Sequence, residues 1–111
     1  MEAQIPRLKD LGVKILWLMP IQPIGEVNRK GGLGSYYSIK DYNSINPEFG
    51  TSEDFKSLVN VIHKNGMYII LDWVANHTAW DHKWTQTNPD FYTKDTSGSF
   101  VPPVKDWHDV I

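Results

Sequence analysis

Two runs of almost uninterrupted apolar residues dominate the pattern of the chain. They cover residues 13–21, with the sequence VKILWLMPI, and residues 67–74, with the sequence MYIILDWV. A strand with one exposed face alternates between apolar and polar residues, whereas a strand covered on both faces is apolar throughout. The two runs therefore predict two buried β-strands of a parallel sheet.

A helix is predicted between the two strands, at residues 51–65. Its apolar positions recur at helical spacing and form one stripe. Thr51 is a good N-cap residue, and Asp54 follows three positions later, as in a capping box. Residues 2–11 also have helical spacing, and Pro6, which lacks an amide hydrogen, predicts a helix that starts or bends there.

The order strand, helix, strand predicts a β-α-β unit with a right-handed crossover. Residues 22–50, which join the first strand to the helix, follow neither periodicity and contain five glycines. A loop of this length in a compact domain is usually functional or disordered, and its aromatic residues favour an ordered, functional loop. After residue 74 the sequence becomes polar and aromatic, with turn signals such as Ser97-Gly98.

Composition narrows the possible functions. The chain has 111 residues, a net charge of −2 and no cysteine. Thiol catalysis, disulfides and cysteine-based zinc sites are excluded, and the absence of a basic stripe gives a nucleic-acid partner little support. No apolar run reaches the ~20 residues of a membrane span, and the first residues lack the features of a signal peptide. The localisation is left open.

Three polar residues fall where the second strand ends. Asp72 lies within the apolar run, and Asn76 and His77 follow it directly. In parallel α/β folds the functional face is formed by the carboxyl ends of the strands. A buried carboxylate needs hydrogen-bond partners, so Asp72 has two interpretations, a structural acceptor or a site residue. A lone histidine is more often structural, but three such groups at one strand end favour a site.

Several tryptophans follow this segment, namely Trp80, Trp84 and Trp107. Their rings could pack against sugars, or they could form the core of a small loop-rich region, which is the commoner case. His77 and His82 are five positions apart, which is the wrong spacing for a metal pair on a helix. The glycine-rich segment at residues 32–37 lacks the third glycine of a dinucleotide loop, and no helix follows it directly.

The segment Asp72-Trp73-Val74-Ala75-Asn76-His77 resembles the D-x-x-x-N-H motif of the α-amylase family, glycoside hydrolase family 13. Three further segments resemble the same family in the same order along the chain. They are residues 11–20 (the second barrel strand), 34–42 (the loop after it) and 46–51 (the start of the next helix), and the tail at 106–110 is also similar to bacterial members. The resemblance covers essentially the whole chain.

The resemblance implies a role for each candidate residue. Tyr37 matches the tyrosine that stacks on the sugar at the cleavage subsite, and His77 matches the histidine that hydrogen-bonds this sugar. Asn76 matches a calcium ligand of many members, so calcium is expected as a structural ion, and Asp72 matches the structural aspartate of the motif. The family's nucleophile and acid/base follow strands four and five, so no catalytic residue is expected in this sequence.

The resemblance further implies an α/β fold, namely part of a (β/α)8 TIM barrel with parallel strands and a crossover helix. Residues 1–77 are expected to belong to the catalytic barrel, and residues 78–111 to the start of a loop-rich inserted domain B. The implied activity is retaining hydrolysis of α-1,4-glucans by an intact parent enzyme. The alternatives are a transglycosylase or α-glucosidase of the family, or a non-catalytic scaffold subunit. The isolated chain is expected to be inactive and to self-associate.

Overall fold

The computed structural model describes all residues of the chain, 1–111. It contains three α-helices, two β-strands and two short 3-10 turns, at Glu2–Gln4 and Pro89–Phe91. In chain order the regular elements are α1 (Ile5–Asp10), β1 (Ile15–Leu18), α2 (Ser52–Lys64), β2 (Tyr68–Leu71) and α3 (Trp84–Thr87). None of the helices has the length and apolar character that a membrane span requires.

The chain divides into two compact units. The first comprises Met1–Ile21 and Ile45–Asp72, and the second comprises Gln22–Ser44 and Trp73–Ile111. The two strands and the helix of the β-α-β region lie in the first unit, together with α1. The second unit contains the long loop as far as Ser44 and the segment that begins at Trp73.

In the first unit, β1 and β2 pair in parallel, with Ile15 opposite Tyr68 and Leu18 opposite Leu71. The predicted β-α-β unit is therefore confirmed. The strands are shorter than the apolar runs, because regular pairing is limited to four residues on each side. One further hydrogen bond, from the amide of Asp72 to the carbonyl oxygen of Leu18 (2.9 Å), lies directly after β2.

The ends of the helices follow the local chemistry of the sequence. Thr51 caps α2: its hydroxyl accepts from the amide of Asp54 (3.1 Å), and the Asp54 carboxylate accepts from the Thr51 amide (2.7 Å). This reciprocal pair is the predicted capping box. Helix α1 begins at Ile5, and Pro6 lies in its first turn, where a missing amide hydrogen breaks no helical bond.

The core of the first unit lies between α1, α2 and one face of the two strands. Ile5, Leu58, Ile62 and Met67 are buried in it, and Leu16 and Ile69 pack against them. The other face of the pair is open, with Ile15, Trp17, Tyr68 and Ile70 all between 41% and 70% exposed. The prediction of strands buried on both faces is therefore wrong for this chain. Burial of the second face would require packed elements on that side, and this unit has helices on one side of the strands only.

The second unit has little regular structure and is held by isolated bridges. These join Ile24 to Ile39, Ala79 to Val110 and Lys94 to Phe100. Gly25 passes so close to Ala79 that a side chain at residue 25 would overlap the Ala79 methyl group. A glycine is therefore required there by packing.

Candidate functional site

The second unit brings together two of the residues selected from the sequence. The Nε2 atom of His77 lies 3.2 Å from the carbonyl oxygen of Tyr37, which is 40 positions earlier in the chain. The Nδ1 atom of His77 lies 3.3 Å from the side-chain nitrogen of Asn76. Tyr37 is 39% exposed and His77 is half-buried. Both side chains are therefore within reach of a ligand from solvent.

These contacts determine the tautomer of His77. A carbonyl oxygen only accepts, so Nε2 carries the hydrogen that it donates to Tyr37. The Asn76 amide nitrogen only donates, so Nδ1 accepts. Burial lowers the pKa of His77, and the contact with Tyr37 and the charge of Asp109 oppose this effect. The neutral imidazole is thus favoured, and a sugar hydroxyl that bonds to either nitrogen must replace a weak existing contact.

Tyr42 fixes the backbone that carries His77. Its hydroxyl lies 2.6 Å from the carbonyl oxygen of Val74 and 2.9 Å from that of His77, and its single hydrogen is shared between these two acceptors. The ring of Tyr42 lies against Trp73, at 5.4 Å between centroids. The Tyr42 phenol is partly buried, and burial raises its pKa, so it stays a donor at neutral pH. The segment from Val74 to His77 is therefore held from the loop that also contains Tyr37.

His82 is a buried histidine whose ring packs against Tyr42. His82 is 1% exposed, and its ring is 5.4 Å from Tyr42 and 4.5 Å from Trp84 between centroids. Its Nδ1 accepts from the amide of Trp84 (3.1 Å), and its Nε2 has no hydrogen-bond partner within the chain. The sequence offered only a metal-pair interpretation for His82, which its spacing excluded. A central position in an aromatic cluster has no local sequence signal.

A cleft of about 240 Å³ opens beside this cluster. Asn76 and His77 line it, together with aromatic side chains from the cluster and from the segment after α3. The aromatic lining residues are Tyr42, Trp84, Phe91 and Tyr92. Apolar walls with a few polar groups are typical of small-ligand sites, so Asn76 and His77 lie at a cleft of the kind that takes a small ligand.

Asn76 is exposed, and its side-chain contact is the one with His77. No group of three His, Cys, Asp or Glu side chains lies close enough together to hold a metal ion. Calcium takes six to eight oxygen ligands, and one asparagine supplies a single side-chain oxygen. The residues of this chain do not by themselves form a calcium cage around Asn76.

Two aspartates of the chain, Asp72 and Asp41, have different surroundings. Asp72 is half-buried and directly follows β2 in the first unit. Asp41, in the second unit, accepts hydrogen bonds from the Ser44 hydroxyl (2.7 Å) and the Asn43 amide (2.9 Å). These two bonds lower the pKa of Asp41 below its usual value. A general acid needs a raised pKa, so Asp41 is a turn-forming residue.

Of the three tryptophans considered from the sequence, one lies beside the candidate pair. The ring of Trp107 is 5.6 Å from the His77 ring between centroids, at an interplanar angle of 70°. Trp84 belongs to the aromatic cluster with Tyr42 and His82. The indole N–H of Trp80 donates to the carbonyl oxygen of His108 (2.9 Å). The core interpretation is thus supported for Trp84, while Trp107 is 45% exposed.

A parallel β-α-β unit with polar residues soon after its second strand is typical of parallel α/β proteins such as (β/α)8 barrels. The chain belongs to the α-amylase family, whose catalytic-domain model ("Alpha amylase, catalytic domain") matches residues 2–108. Similar proteins support this placement. The chain is 44% identical over 77 residues to a trehalose-6-phosphate hydrolase of Bacillus subtilis, an alignment that covers 69% of this chain and 13% of that protein.

Solved structures of the same family are similar in fold. An α-amylase from Lactobacillus plantarum is 52% identical with a TM-score of 0.95, and the match covers 98% of this chain and 26% of that one. A maltogenic α-amylase from Thermotoga neapolitana is 40% identical with a TM-score of 0.93, and the match again covers 98% of this chain and 26% of that one. The expected fold, part of a (β/α)8 barrel, is confirmed. The chain spans about a quarter or less of the length of these relatives.

Proposed function

We propose that this chain forms part of the substrate site of a retaining glycoside hydrolase that cleaves α-1,4-glucosidic bonds in starch-like glucans. The contact between His77 and Tyr37 carries the proposal. The family resemblance assigns these two residues to the sugar at the cleavage subsite. They are 40 positions apart in the sequence, yet they touch in the second unit and stay accessible from solvent.

The two side chains offer complementary interactions to a glucose ring. A sugar has apolar C–H faces and a rim of hydroxyl groups, so the Tyr37 ring packs against a face while an imidazole nitrogen of His77 bonds to a hydroxyl. Such contacts hold and orient the substrate. They accelerate the reaction only where they strengthen in the transition state.

Bond cleavage itself is assigned to the remainder of an intact enzyme. A retaining glycosidase needs a nucleophilic carboxylate and an acid/base carboxylate about 5–5.5 Å apart. By the resemblance, both follow later barrel strands. Asp41 is engaged in its own turn, and we assign Asp72 a structural role as a hydrogen-bond acceptor at the strand end.

The direct test is steady-state kinetics of the intact enzyme, meaning the polypeptide that carries this sequence with the remaining barrel strands. Its substrates are maltooligosaccharides of increasing length. We expect His77→Ala and Tyr37→Ala each to lower kcat/KM by about 100-fold or more. Lys9→Ala, a change on the exposed side of α1, is the control and leaves it unchanged. Full activity of both site variants would remove the proposal.

A second candidate is an α-glucosidase or transglycosylase acting on short saccharides. The similarity to a trehalose-6-phosphate hydrolase favours it. A substrate panel separates the two candidates: starch and long maltooligosaccharides against disaccharides and phosphorylated disaccharides. Preferential turnover of the short substrates would replace α-glucan hydrolysis by this second function.

The finer expectations for calcium and domain division are proposals of the same kind. We assign the Asn76 side-chain oxygen as one calcium ligand in the intact enzyme, with other ligands from the inserted domain. Residues 1–77 are assigned to the barrel and 78–111 to inserted domain B. Calorimetric titration of the chelator-treated intact enzyme tests the calcium site. Equal calcium affinity of the wild type and Asn76→Ala would remove Asn76 from it.

A further inference from the structure

The tail of the chain around Trp107 is anchored by several long-range bonds. On one side of Trp107, the Lys30 ammonium group donates to the carbonyl oxygen of Asp106 (3.0 Å). On the other side, Trp80 donates to the carbonyl oxygen of His108 (2.9 Å). The backbone of Trp107 is therefore held immediately before and immediately after the residue.

An ion pair between a partly exposed lysine and a buried carboxylate adds to the same anchorage. The Asp109 carboxylate, with its side chain 6% exposed, lies 3.1 Å from the Lys30 ammonium group. The carbonyl oxygen of Asp109 accepts from the Ser38 hydroxyl (2.9 Å), one residue from Tyr37. Thr78 and Ile111 exchange two backbone hydrogen bonds (2.9 and 3.0 Å). The tail is thus fixed to the two segments that carry Tyr37 and His77.

The Trp107 side chain is left open by this arrangement. Trp107 is 45% exposed, although the residues on either side of it are held by hydrogen bonds. It meets the His77 ring at 70° and not in a parallel stack. A large apolar surface that is held in place and open to solvent is ready for a ligand, because binding then costs little ordering of the side chain.

We propose that Trp107 is a further sugar-contacting residue, whose indole packs against the glucose unit next to the one held by His77 and Tyr37. This inference rests on the proposed function and extends it by one sugar. The ligand class is an α-glucan of two or more glucose units. The indole supplies a large flat surface for the apolar face of a sugar and a single N–H donor for a hydroxyl.

The proposal has a specific kinetic consequence. A residue that contacts the neighbouring sugar matters for oligosaccharides and little for a monosaccharide with an artificial leaving group. Loss of such a residue therefore raises KM for long substrates and leaves kcat nearly unchanged. If Trp107 had a purely structural role in the tail, its loss would instead change the kinetic constants for both kinds of substrate alike.

The test compares the intact wild-type enzyme with three variants, using maltotetraose and an aryl α-glucoside. We expect Trp107→Ala to raise KM for maltotetraose about five- to tenfold, the size of one aromatic contact. We expect Trp107→Phe to recover most of this loss. Val104→Ala is the matched control, because Val104 is as exposed as Trp107 and contributes only its backbone carbonyl to the tail.

A second measurement distinguishes failure of the inference from failure of the proposed function. The intact enzyme is labelled with 5-fluorotryptophan, and the resonance of Trp107 is assigned by its loss in Trp107→Phe. A shift of this resonance on addition of maltotetraose supports sugar contact even if the wild type hydrolyses no α-glucan, which would overturn the proposed function alone. An unmoved resonance, or equal KM values for Trp107→Ala and Val104→Ala in an active enzyme, overturns the role of Trp107.

Discussion

The hydroxyl group of Tyr42 lies 2.9 Å from the carbonyl oxygen of His77, and it is shared with the carbonyl oxygen of Val74. One phenol thereby sets the path of the four residues that end at the proposed sugar-binding histidine. The same ring is packed against Trp73, His82 and Trp84. Tyr42 is therefore a positioning residue for His77, and it has no need to touch the sugar itself.

The first prediction follows from this bond. In the intact enzyme, Tyr42→Phe leaves two carbonyl groups without their donor, and the expected cost is about 1–3 kcal/mol in the free energy of unfolding. Because the segment before His77 loosens, KM for maltotetraose rises as well. The comparison is Tyr68→Phe, which removes the hydroxyl of an exposed tyrosine in β2. Identical KM values for Tyr42→Phe and the wild type would show that Tyr42 does not position His77.

The elements of the first unit could be predicted from the sequence because their causes are local. Helix α2 has a capping box at Thr51 and Asp54, and both are within one turn of the helix start. The apolar runs predicted both strands and their parallel pairing. Exposure of Trp17 and Tyr68 was not predictable in this way, because an apolar run reports what a strand requires and not which layers are present to cover it.

In the candidate site, too, the residues in short motifs could be predicted from the sequence, whereas the long-range contacts could not. Asn76 and His77 are recognisable from a short motif, and Tyr37 from its loop. The Tyr42 and His82 contacts join residues 40 positions apart without any shared period, so no window of sequence contains the signal. The bond between Lys30 and Asp106, which anchors the Trp107 tail, has no local sequence signal either, since the two residues are 76 positions apart.

The second prediction concerns pH. Burial lowers the pKa of His82 below its usual value of 6.5, with Lys83 acting in the same direction and Asp41 and Asp81 opposing. Protonation of Nδ1 would also break its bond from the Trp84 amide. The unfolded chain binds the proton more readily, so this stabilisation is complete above about pH 6.5 and is lost as the pH falls below it.

The measurement is the melting temperature of the intact enzyme between about pH 7.5 and 5.5, the range in which histidines titrate. We expect the melting temperature to fall towards the acidic end. His82→Gln keeps an acceptor for the Trp84 amide but does not titrate there, so its decrease is shallower. Parallel curves for the two proteins would exclude His82 as a source of the pH dependence.

The third prediction tests the cap of α2. Thr51→Ala removes the hydroxyl that accepts from the Asp54 amide, and the expected loss in the free energy of unfolding is about 1 kcal/mol. Ser52→Ala changes the adjacent hydroxyl, which lies in the first turn of the helix, and is the matched control. Denaturant unfolding of the intact enzyme gives both values. A loss equal to that of Ser52→Ala would contradict the capping role.

The fourth prediction concerns the open face of the strand pair. Ile15, Trp17, Tyr68 and Ile70 form an apolar strip, and each strand has an unpaired edge. Exposed edges and apolar faces promote association, so we expect the isolated 111-residue chain to oligomerise or aggregate. Multi-angle light scattering measures its mass. Trp17→Lys should reduce association, and a monodisperse wild-type monomer with a cooperative melt would refute the expectation.

The last prediction is that the isolated chain does not hydrolyse starch, maltooligosaccharides or an aryl maltoside. Retaining cleavage needs a nucleophile on one side of the anomeric carbon and a proton donor at the leaving oxygen. Asp41 is committed to Ser44 and Asn43, and its lowered pKa makes it a poor proton donor. Asp72 is the remaining carboxylate in the family motif, and we assign it a structural role.

The assay uses the purified chain, an aryl maltoside and the variants Asp72→Asn and Asp41→Asn. Sugar binding without turnover agrees with the prediction, because the role proposed for Tyr37 and His77 is to hold a glucose ring, and neither residue supplies a carboxylate. The contradicting result is turnover by the wild-type chain that disappears in one of the two variants. That aspartate would then be catalytic. The proposal that the catalytic carboxylates follow the later barrel strands would have to be abandoned.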